Sequence, residues 1–123
     1  MTRTKLTLAT LTVLGALALA STAFAAPPKL TGTVGPGFTI TLTQNGKAVK
    51  TLPAGSYVFA VSDKSNIHNF RVKGPGGVNK EITTVPFQGS KSVTLTLKKG
   101  HYSLVCNLPG HYKGGQFVDF YVR

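Results

Sequence analysis

After residue 30 the sequence consists of short runs in which apolar and polar side chains alternate, and Gly or Pro separates one run from the next. Phe38 to Thr43 alternates apolar and hydroxyl residues, which is the period of a half-buried strand. Asn45-Gly46 then favours a hairpin turn with positive φ, and Lys91 to Leu97 alternates again. Further strands are predicted at 47–52, 56–62, 68–73, 81–84, 102–106 and 116–122. The pattern therefore predicts an all-β domain of about seven or eight strands, arranged as a Greek-key β-sandwich or barrel.

The N-terminus has the organisation of an export signal. Arg3 and Lys5 precede an apolar stretch over 6–20, and Ala23-Phe24-Ala25 matches the small-x-small cleavage pattern. The stretch is shorter than a typical membrane span. We therefore expect a signal peptide at 1–25 and one mature domain at 26–123, secreted or periplasmic and without a membrane span after cleavage. An uncleaved N-terminal anchor is the alternative.

The predicted mature domain is strongly basic. Removing Arg3 and Lys5 from the 14 basic residues leaves 12 against three acidic residues, a net charge of about +9. Such a surface favours acidic partners and salt-dependent association. The lysines are scattered along the chain and Arg is scarce, which argues against nucleic acid as the partner.

A candidate metal site lies in the last quarter of the chain. Cys106 is the only cysteine and so forms no internal disulfide. It begins a Gly- and Pro-rich segment in which His111 and Gln116 follow at intervals of five, and His68 supplies a second imidazole upstream. Thiolate sulfur with imidazole nitrogen suits copper, and two His, one Cys and a weak axial donor make a blue-copper site.

Strand parity tests whether these donors can meet. Successive strand residues face opposite sides. His68 falls on the apolar face of its predicted strand, and Cys106 and Gln116 share their faces with apolar residues of theirs. His101 falls on the opposite face from Cys106, so we expect it to face solvent. If the site forms, His68 Nδ1 must lie within about 5 Å of the Cys106 sulfur.

These motifs together resemble the cupredoxins, the small blue-copper proteins that include plastocyanin, amicyanin and the stellacyanins. The resemblance lies in Gly100-x-Tyr102-x-x-x-Cys106, in the Cys106-to-Gln116 loop and in the His68-Asn69 pair. It implies a cupredoxin fold in which His68, Cys106 and His111 are equatorial copper ligands. It also implies that Asn69 ties the two ligand-bearing segments together, a contact that orients ligands.

The axial position departs from most of the family. Most cupredoxins carry Met there, whereas the only Met of this chain is Met1. Gln116 stands in its place, as in stellacyanins. An amide oxygen is a harder donor than a thioether, so we expect Gln116 to favour Cu(II) and to lower the reduction potential.

The resemblance implies a one-electron carrier. In cupredoxins the loop His is nearest to solvent and is ringed by apolar residues. Here His111 would be that residue, with Leu108, Pro109 and Tyr112 in the ring and Lys113 at its edge. We expect a monomer that meets a redox partner with an acidic docking surface through this patch.

Two other functions use the same residues. The first is copper delivery or buffering without electron transfer, and Zn(II) would also fit these ligands. The second is an enzyme, which needs an open coordination position or a second metal cluster. Only His101 remains as a further imidazole, so we expect no enzymatic activity.

Overall fold

A computed structural model describes residues 18–123 of the chain. Its regular structure is almost entirely β. The ten strands of the described part are β1 (Lys29–Val34), β2 (Ile40–Gln44), β3 (Lys47–Ala48), β4 (Thr51–Leu52), β5 (Gly55–Asp63), β6 (Phe70–Gly74), β7 (Val78–Thr83), β8 (Gly89–Leu97), β9 (Gly100–Val105) and β10 (Phe117–Val122). One three-residue 3₁₀ turn, Pro75–Gly77, joins β6 to β7. Most of the expected signal peptide lies outside the described residues.

The strands form two five-stranded sheets that pack face to face. The first has the order β3-β2-β1-β5-β8 and the second β4-β10-β9-β6-β7. The β1/β5 and β4/β10 pairs are parallel, and the other pairs are antiparallel. This arrangement brings the β1–β2, β5–β6 and β9–β10 connections to one end of the sandwich.

The core between the sheets is made by the inward residues of each strand. Tyr102 stacks on Phe120 with ring centroids 5.2 Å apart, and both side chains are fully buried. The Tyr102 hydroxyl accepts a hydrogen bond from the Lys98 backbone N–H at 3.0 Å. Gly74 packs against the Tyr102 ring so closely that a Cβ there would collide with it. The aromatic packing therefore depends on a residue without a side chain at this point of β6.

The expected all-β sandwich is confirmed, and eight of its strands are five residues or longer. The predicted single strand at 47–52 is wrong in detail, because the chain changes sheets within it. β3 pairs with β2 and β4 pairs with β10. Between them Val49 N–H still donates to Leu42 of the first sheet, while Lys50 O accepts from Tyr121 of the second. The Asn45-Gly46 turn is confirmed, with φ of 49° and 77°.

Strand β1 is absent from the sequence prediction. Gly32 interrupts its alternating pattern and weakens the local strand signal. In the fold Gly32 is required, because a Cβ there would lie 2.7 Å from Cζ of Phe70. The contact is between strands of the two facing sheets and cannot be read from the local sequence.

Among residues 18–123 there is no helix of the length and apolar character needed to cross a membrane.

Candidate metal centre

Three side chains from two connections meet at one end of the sandwich. His68 Nδ1 lies 3.9 Å from Cys106 Sγ, His111 Nδ1 lies 3.4 Å from the same sulfur, and the two Nδ1 atoms are 3.0 Å apart. All three donor atoms lie within 4.8 Å of one another. The separation of His68 from Cys106 is below the limit of about 5 Å set by a shared metal. One sulfur and two nitrogen donors therefore surround a single point.

Gln116 turns its amide oxygen toward the same point. Its Oε1 lies 3.1 Å from His111 Nδ1. Its Nε2 donates to the backbone carbonyls of Gly37 at 3.3 Å and Thr39 at 3.1 Å. Because two acceptors occupy the NH₂ group, the oxygen is held on the side of the three donors. The side chain is fully buried, so its oxygen lies beside the three candidate donors.

His68 is oriented by a backbone carbonyl. Its Nε2 lies 2.9 Å from Pro36 O and donates to it, which leaves Nδ1 as the nitrogen with a free lone pair. Gly35, at φ +72°, lets the chain pass close to this ring, since a Cβ there would lie 2.8 Å from Cδ2 of His68. His68 is only 1% exposed, so its Nδ1 is both buried and fixed in direction.

Cys106 is fully buried and accepts one hydrogen bond on its sulfur. The donor is the backbone N–H of Asn69, with N and Sγ 3.5 Å apart. The Asn69 side chain in turn accepts from Asn107 N–H at 3.0 Å and donates to Asn107 Oδ1 at 2.6 Å. These hydrogen bonds link the two segments that carry the candidate ligands, as the resemblance implied.

Backbone hydrogen bonds close the loop that carries His111. His111 N–H donates to Leu108 O at 3.1 Å, Gln116 N–H donates to His111 O at 3.1 Å, and Cys106 N–H donates to Gln116 O at 3.3 Å. Gly110 and Gly115 have φ of +80° and +93°, a region that favours glycine. The Gly and Pro residues of the loop therefore allow the backbone to turn tightly around the candidate ligands.

The β1–β2 connection is part of the site, and the sequence reasoning missed it. The carbonyls of Pro36, Gly37 and Thr39 hold His68 and Gln116 as described above. The Phe38 ring lies edge-on to His111, with centroids 4.8 Å apart and planes at 90°. The Gly-Pro-Gly-Phe run indicates a turn, but backbone acceptors leave no residue-type signal that would assign them to a site.

His101 lies away from the cluster, as its strand parity predicted. It sits on the exposed outer face of β9, where its Nε2 is 3.2 Å from Oδ1 of Asp119. Its ring packs on Tyr121, with centroids 5.0 Å apart. Within residues 18–123, His68, Cys106 and His111 are the one group of three or more His, Cys, Asp or Glu side chains that could hold a metal ion.

The donor set suits a copper ion. Soft thiolate and imidazole donors select copper or zinc over hard cations, and a trigonal Cys and two His arrangement with a weaker axial donor is a type 1 copper geometry. The pocket is also nearly closed to water, since His68, Cys106 and Gln116 are buried and His111 is half-buried. The residues present therefore fit one copper ion.

Comparison with known proteins gives structural neighbours only. No protein-family profile matches the sequence, and no curated protein matches it. A structure of the copper protein rusticyanin aligns with a TM-score of 0.56 and 21% identity, over 77% of this chain and 76% of that one. Rusticyanin from Thiobacillus ferrooxidans aligns with a TM-score of 0.50 and 25% identity over the same shares.

Auracyanin B aligns over 84% of this chain and 95% of its own, with a TM-score of 0.52 and 17% identity. Rusticyanin and auracyanin are both cupredoxins. The chain therefore has the cupredoxin fold, and its His68, Cys106 and His111 side chains form a cluster that fits a type 1 copper site.

Proposed function

We propose that this protein is an exported one-electron carrier with a single type 1 copper ion. His68, Cys106 and His111 would be the equatorial ligands and Gln116 the weak axial ligand. The observation that carries the proposal is the convergence of these four donors in one nearly closed pocket. A bound copper supplies the Cu(I)/Cu(II) couple.

The protein's own contribution is to hold the donors still. Rapid electron transfer needs a ligand arrangement that changes little between the two oxidation states. His68 and Gln116 are each fixed by backbone carbonyls. Cys106 directly follows β9, and its sulfur accepts a hydrogen bond. Such a rigid, supported site meets this requirement of an electron carrier.

An argument against catalysis is that protein groups surround the candidate ligands and leave no open position for a substrate. A catalytic metal keeps an open position for substrate or water. Here the carbonyls of the 35–39 segment and the Phe38 ring cover the two histidines, and His101 is engaged with Asp119 elsewhere. We infer that this site exchanges electrons without binding a substrate at the metal.

The route for electrons is proposed to pass through His111. It is half-buried, whereas His68 and Cys106 are almost fully buried. Exposed apolar side chains flank the ligand residues at this end: Phe38 is 54% exposed, Ile67 56% and Tyr112 52%. A small apolar patch in a domain of net charge about +9 suits brief, salt-sensitive contact with an acidic redox partner.

Copper titration of the purified domain tests the proposal. We expect one equivalent of Cu(II) to produce an intense thiolate-to-copper absorption band and a type 1 EPR signal. Cys106→Ser should abolish the band, while Cys106 in the wild type should become unreactive to thiol reagents. A colourless protein with a freely titratable thiol would overturn the assignment.

A transfer assay separates an electron carrier from a copper-delivery protein. We expect the loaded protein to undergo many reduction and oxidation cycles without loss of metal to a competing chelator. Rapid release of copper to the chelator, with slow electron self-exchange, would instead support delivery. The same titration with Zn(II) measures how strongly the site discriminates between the two metals.

Export is part of the proposal and has its own test. The 1–25 segment is proposed as a cleaved signal, so the protein recovered outside the cytoplasm should begin at Ala26. Intact-mass measurement decides this directly. A recovered chain that keeps residues 1–25 and stays with the membrane fraction would support an N-terminal anchor instead.

A further inference from the structure

We propose that Glu81, which lies outside the ligand set, is a positioning residue for the metal centre. In this view its carboxylate holds the Asn69 side chain, and Asn69 in turn aims its backbone N–H at the Cys106 sulfur. The inference rests on the proposed function in treating Cys106 as a metal ligand. It concerns a residue of β7 that no local sequence pattern connects with the site.

The Glu81 carboxylate is held between two donors. Its Oε1 accepts from Asn69 Nδ2 at 2.6 Å and from Arg71 Nη2 at 3.2 Å. Arg71 is itself fixed by a hydrogen bond from Nη1 to Asn79 Oδ1 at 2.9 Å. Both members of the ion pair are mostly covered, with side-chain exposures of 19% and 30%, so the carboxylate has a defined position.

A register shift in the sheet creates this arrangement. Phe70 pairs with Thr83, but the next residue, Arg71, pairs with Glu81, so one residue of β7 is left without a partner. The shift places Glu81 directly opposite Arg71, where opposite charges on paired strands stabilise each other. Bulges of this kind often redirect a side chain next to a functional site. Here the redirected side chain reaches Asn69, one residue after a candidate ligand.

Glu81 completes the hydrogen bonding of a buried amide. Asn69 is 3% exposed, and its two amide hydrogens go to Glu81 and to Asn107 Oδ1. Its oxygen accepts from the Asn107 backbone. Without the carboxylate, one N–H of a buried amide would lose its partner, which is a costly state that rotation of the side chain would relieve. Rotation would break the link to Asn107, the residue that follows Cys106.

The consequence reaches the sulfur through a short chain of contacts. The Asn69 backbone N–H is the donor to Cys106 Sγ. Partners that orient ligands tune metal sites. Loosening Asn69 should therefore both open the Cys106 pocket more often in the metal-free protein and alter the copper–thiolate signal in the loaded protein.

The test compares Glu81→Ala with Glu81→Gln, using Asp119→Ala as the matched control. Asp119 is also an acidic residue paired with a basic side chain, but it lies on the outer face away from the site. The first readout is the rate at which Cys106 of the metal-free protein reacts with a disulfide reagent, which reports local opening. The second is the absorption and EPR spectrum after loading with Cu(II).

We expect Glu81→Ala to raise the thiol reaction rate about tenfold, which corresponds to about 1.4 kcal/mol of opening free energy. It should also shift the absorption and EPR parameters of the copper–thiolate unit. Glu81→Gln keeps an oxygen acceptor for Asn69, so it should stay within about twofold of wild type, as should Asp119→Ala.

Two results would overturn the proposal. One is a Glu81→Ala protein whose thiol rate and copper spectrum both match wild type. The other is a Glu81→Gln protein as strongly affected as Glu81→Ala, since the charge and not the acceptor would then matter. If Glu81→Ala does not fold, Glu81→Leu fills the same partly covered space without an acceptor for Asn69. A thiol rate unchanged from wild type in that variant would equally overturn the proposal.

The thiol assay needs no copper and so separates this inference from the proposed function. A wild-type protein that binds no copper, combined with a faster thiol in Glu81→Ala, would reject the copper site and retain the positioning role of Glu81. An intense copper band in the wild type, combined with an unchanged thiol rate and copper spectrum in Glu81→Ala, would support the copper site and reject the positioning role of Glu81.

Discussion

Replacing Gln116 by Met should weaken the metal-free fold and raise the copper potential together. Gln116 donates two buried hydrogen bonds, to the carbonyls of Gly37 and Thr39. A thioether makes neither bond, and it is a softer axial donor that favours Cu(I). The substitution therefore separates two roles of one side chain, one in the fold and one at the metal.

The size of the stability effect follows from the partners that remain. Gly37 O still accepts from Thr39 N–H at 2.8 Å, and Thr39 O still accepts from Gly35 N–H at 2.9 Å. Neither carbonyl is left without a partner, so only the two bonds themselves are lost, at about 0.5–1.5 kcal/mol each. The buried apolar thioether offsets part of this loss. We expect the free energy of unfolding to fall by about 1–2 kcal/mol and Tm by roughly 4–16 °C in a domain of this size.

Urea unfolding of the metal-free protein, followed by far-UV circular dichroism, measures the first effect. Voltammetry of the copper-loaded protein measures the second. Gln88→Met is the matched control, because Gln88 makes a single exposed hydrogen bond, to Lys64 O, and should change stability by less than about 0.5 kcal/mol. Equal stability of Gln116→Met and wild type would refute the two-bond argument. An unchanged potential would show that Gln116 is not an axial ligand.

Three further predictions follow from the structure. Gly74→Ala places a methyl group against the Tyr102 ring and should lower the free energy of unfolding in urea by about 1–3 kcal/mol. Gly37→Ala is the control, because nothing lies within 4 Å of the new methyl group, and it should not cause this loss. Similar losses of stability in both variants would contradict the packing argument. Burial raises the pKa of Tyr57 above its usual value of 10.0, so the folded state holds that proton more tightly and this contribution is lost as pH rises above about 10. Tyr57→Phe should then lose less stability than wild type between pH 7 and pH 11, and equal losses would count against the shift. Lys113→Glu should slow oxidation of the reduced copper protein by the anion ferricyanide about two- to fivefold at low salt, with the difference vanishing in high salt; a difference that persists in high salt would exclude electrostatic steering.

Much of the candidate site was visible in the sequence because its donors obey local rules. Alternation predicts inward-facing side chains for Cys106 and Gln116, which directly follow β9 and directly precede β10, and their fixed spacing around His111 indicates a short loop. The basis for adding His68 was weaker, since it lies 38 residues from Cys106 along the chain. Its parity and its chemistry made it the best remaining imidazole, and the fold brings it to the sulfur.

The strand predictions were wrong where contacts between distant parts of the chain, rather than the local residue pattern, decide the structure. Gly32 breaks the alternation of β1, yet the facing Phe70 ring requires a glycine there. The Asn45-Gly46 turn predicts a single returning strand over 47–52, but this segment divides between two sheets because each half finds its hydrogen-bond partners in a different one. Pairing between sheets depends on the whole topology, which no short window of residues contains.

The order of residues was sufficient for the fold class, the basic surface and the chemical identity of the donors, because these depend on residue type and on periods of a few positions. The supports around the donors required the folded chain. The carbonyl of Gly37, 79 positions away along the chain, orients the Gln116 side chain. The Glu81 carboxylate, which a register shift brings close to Asn69, orients the Asn69 side chain. A backbone carbonyl is the same group at every residue, so which one lies near a ligand is decided when the sheets pack.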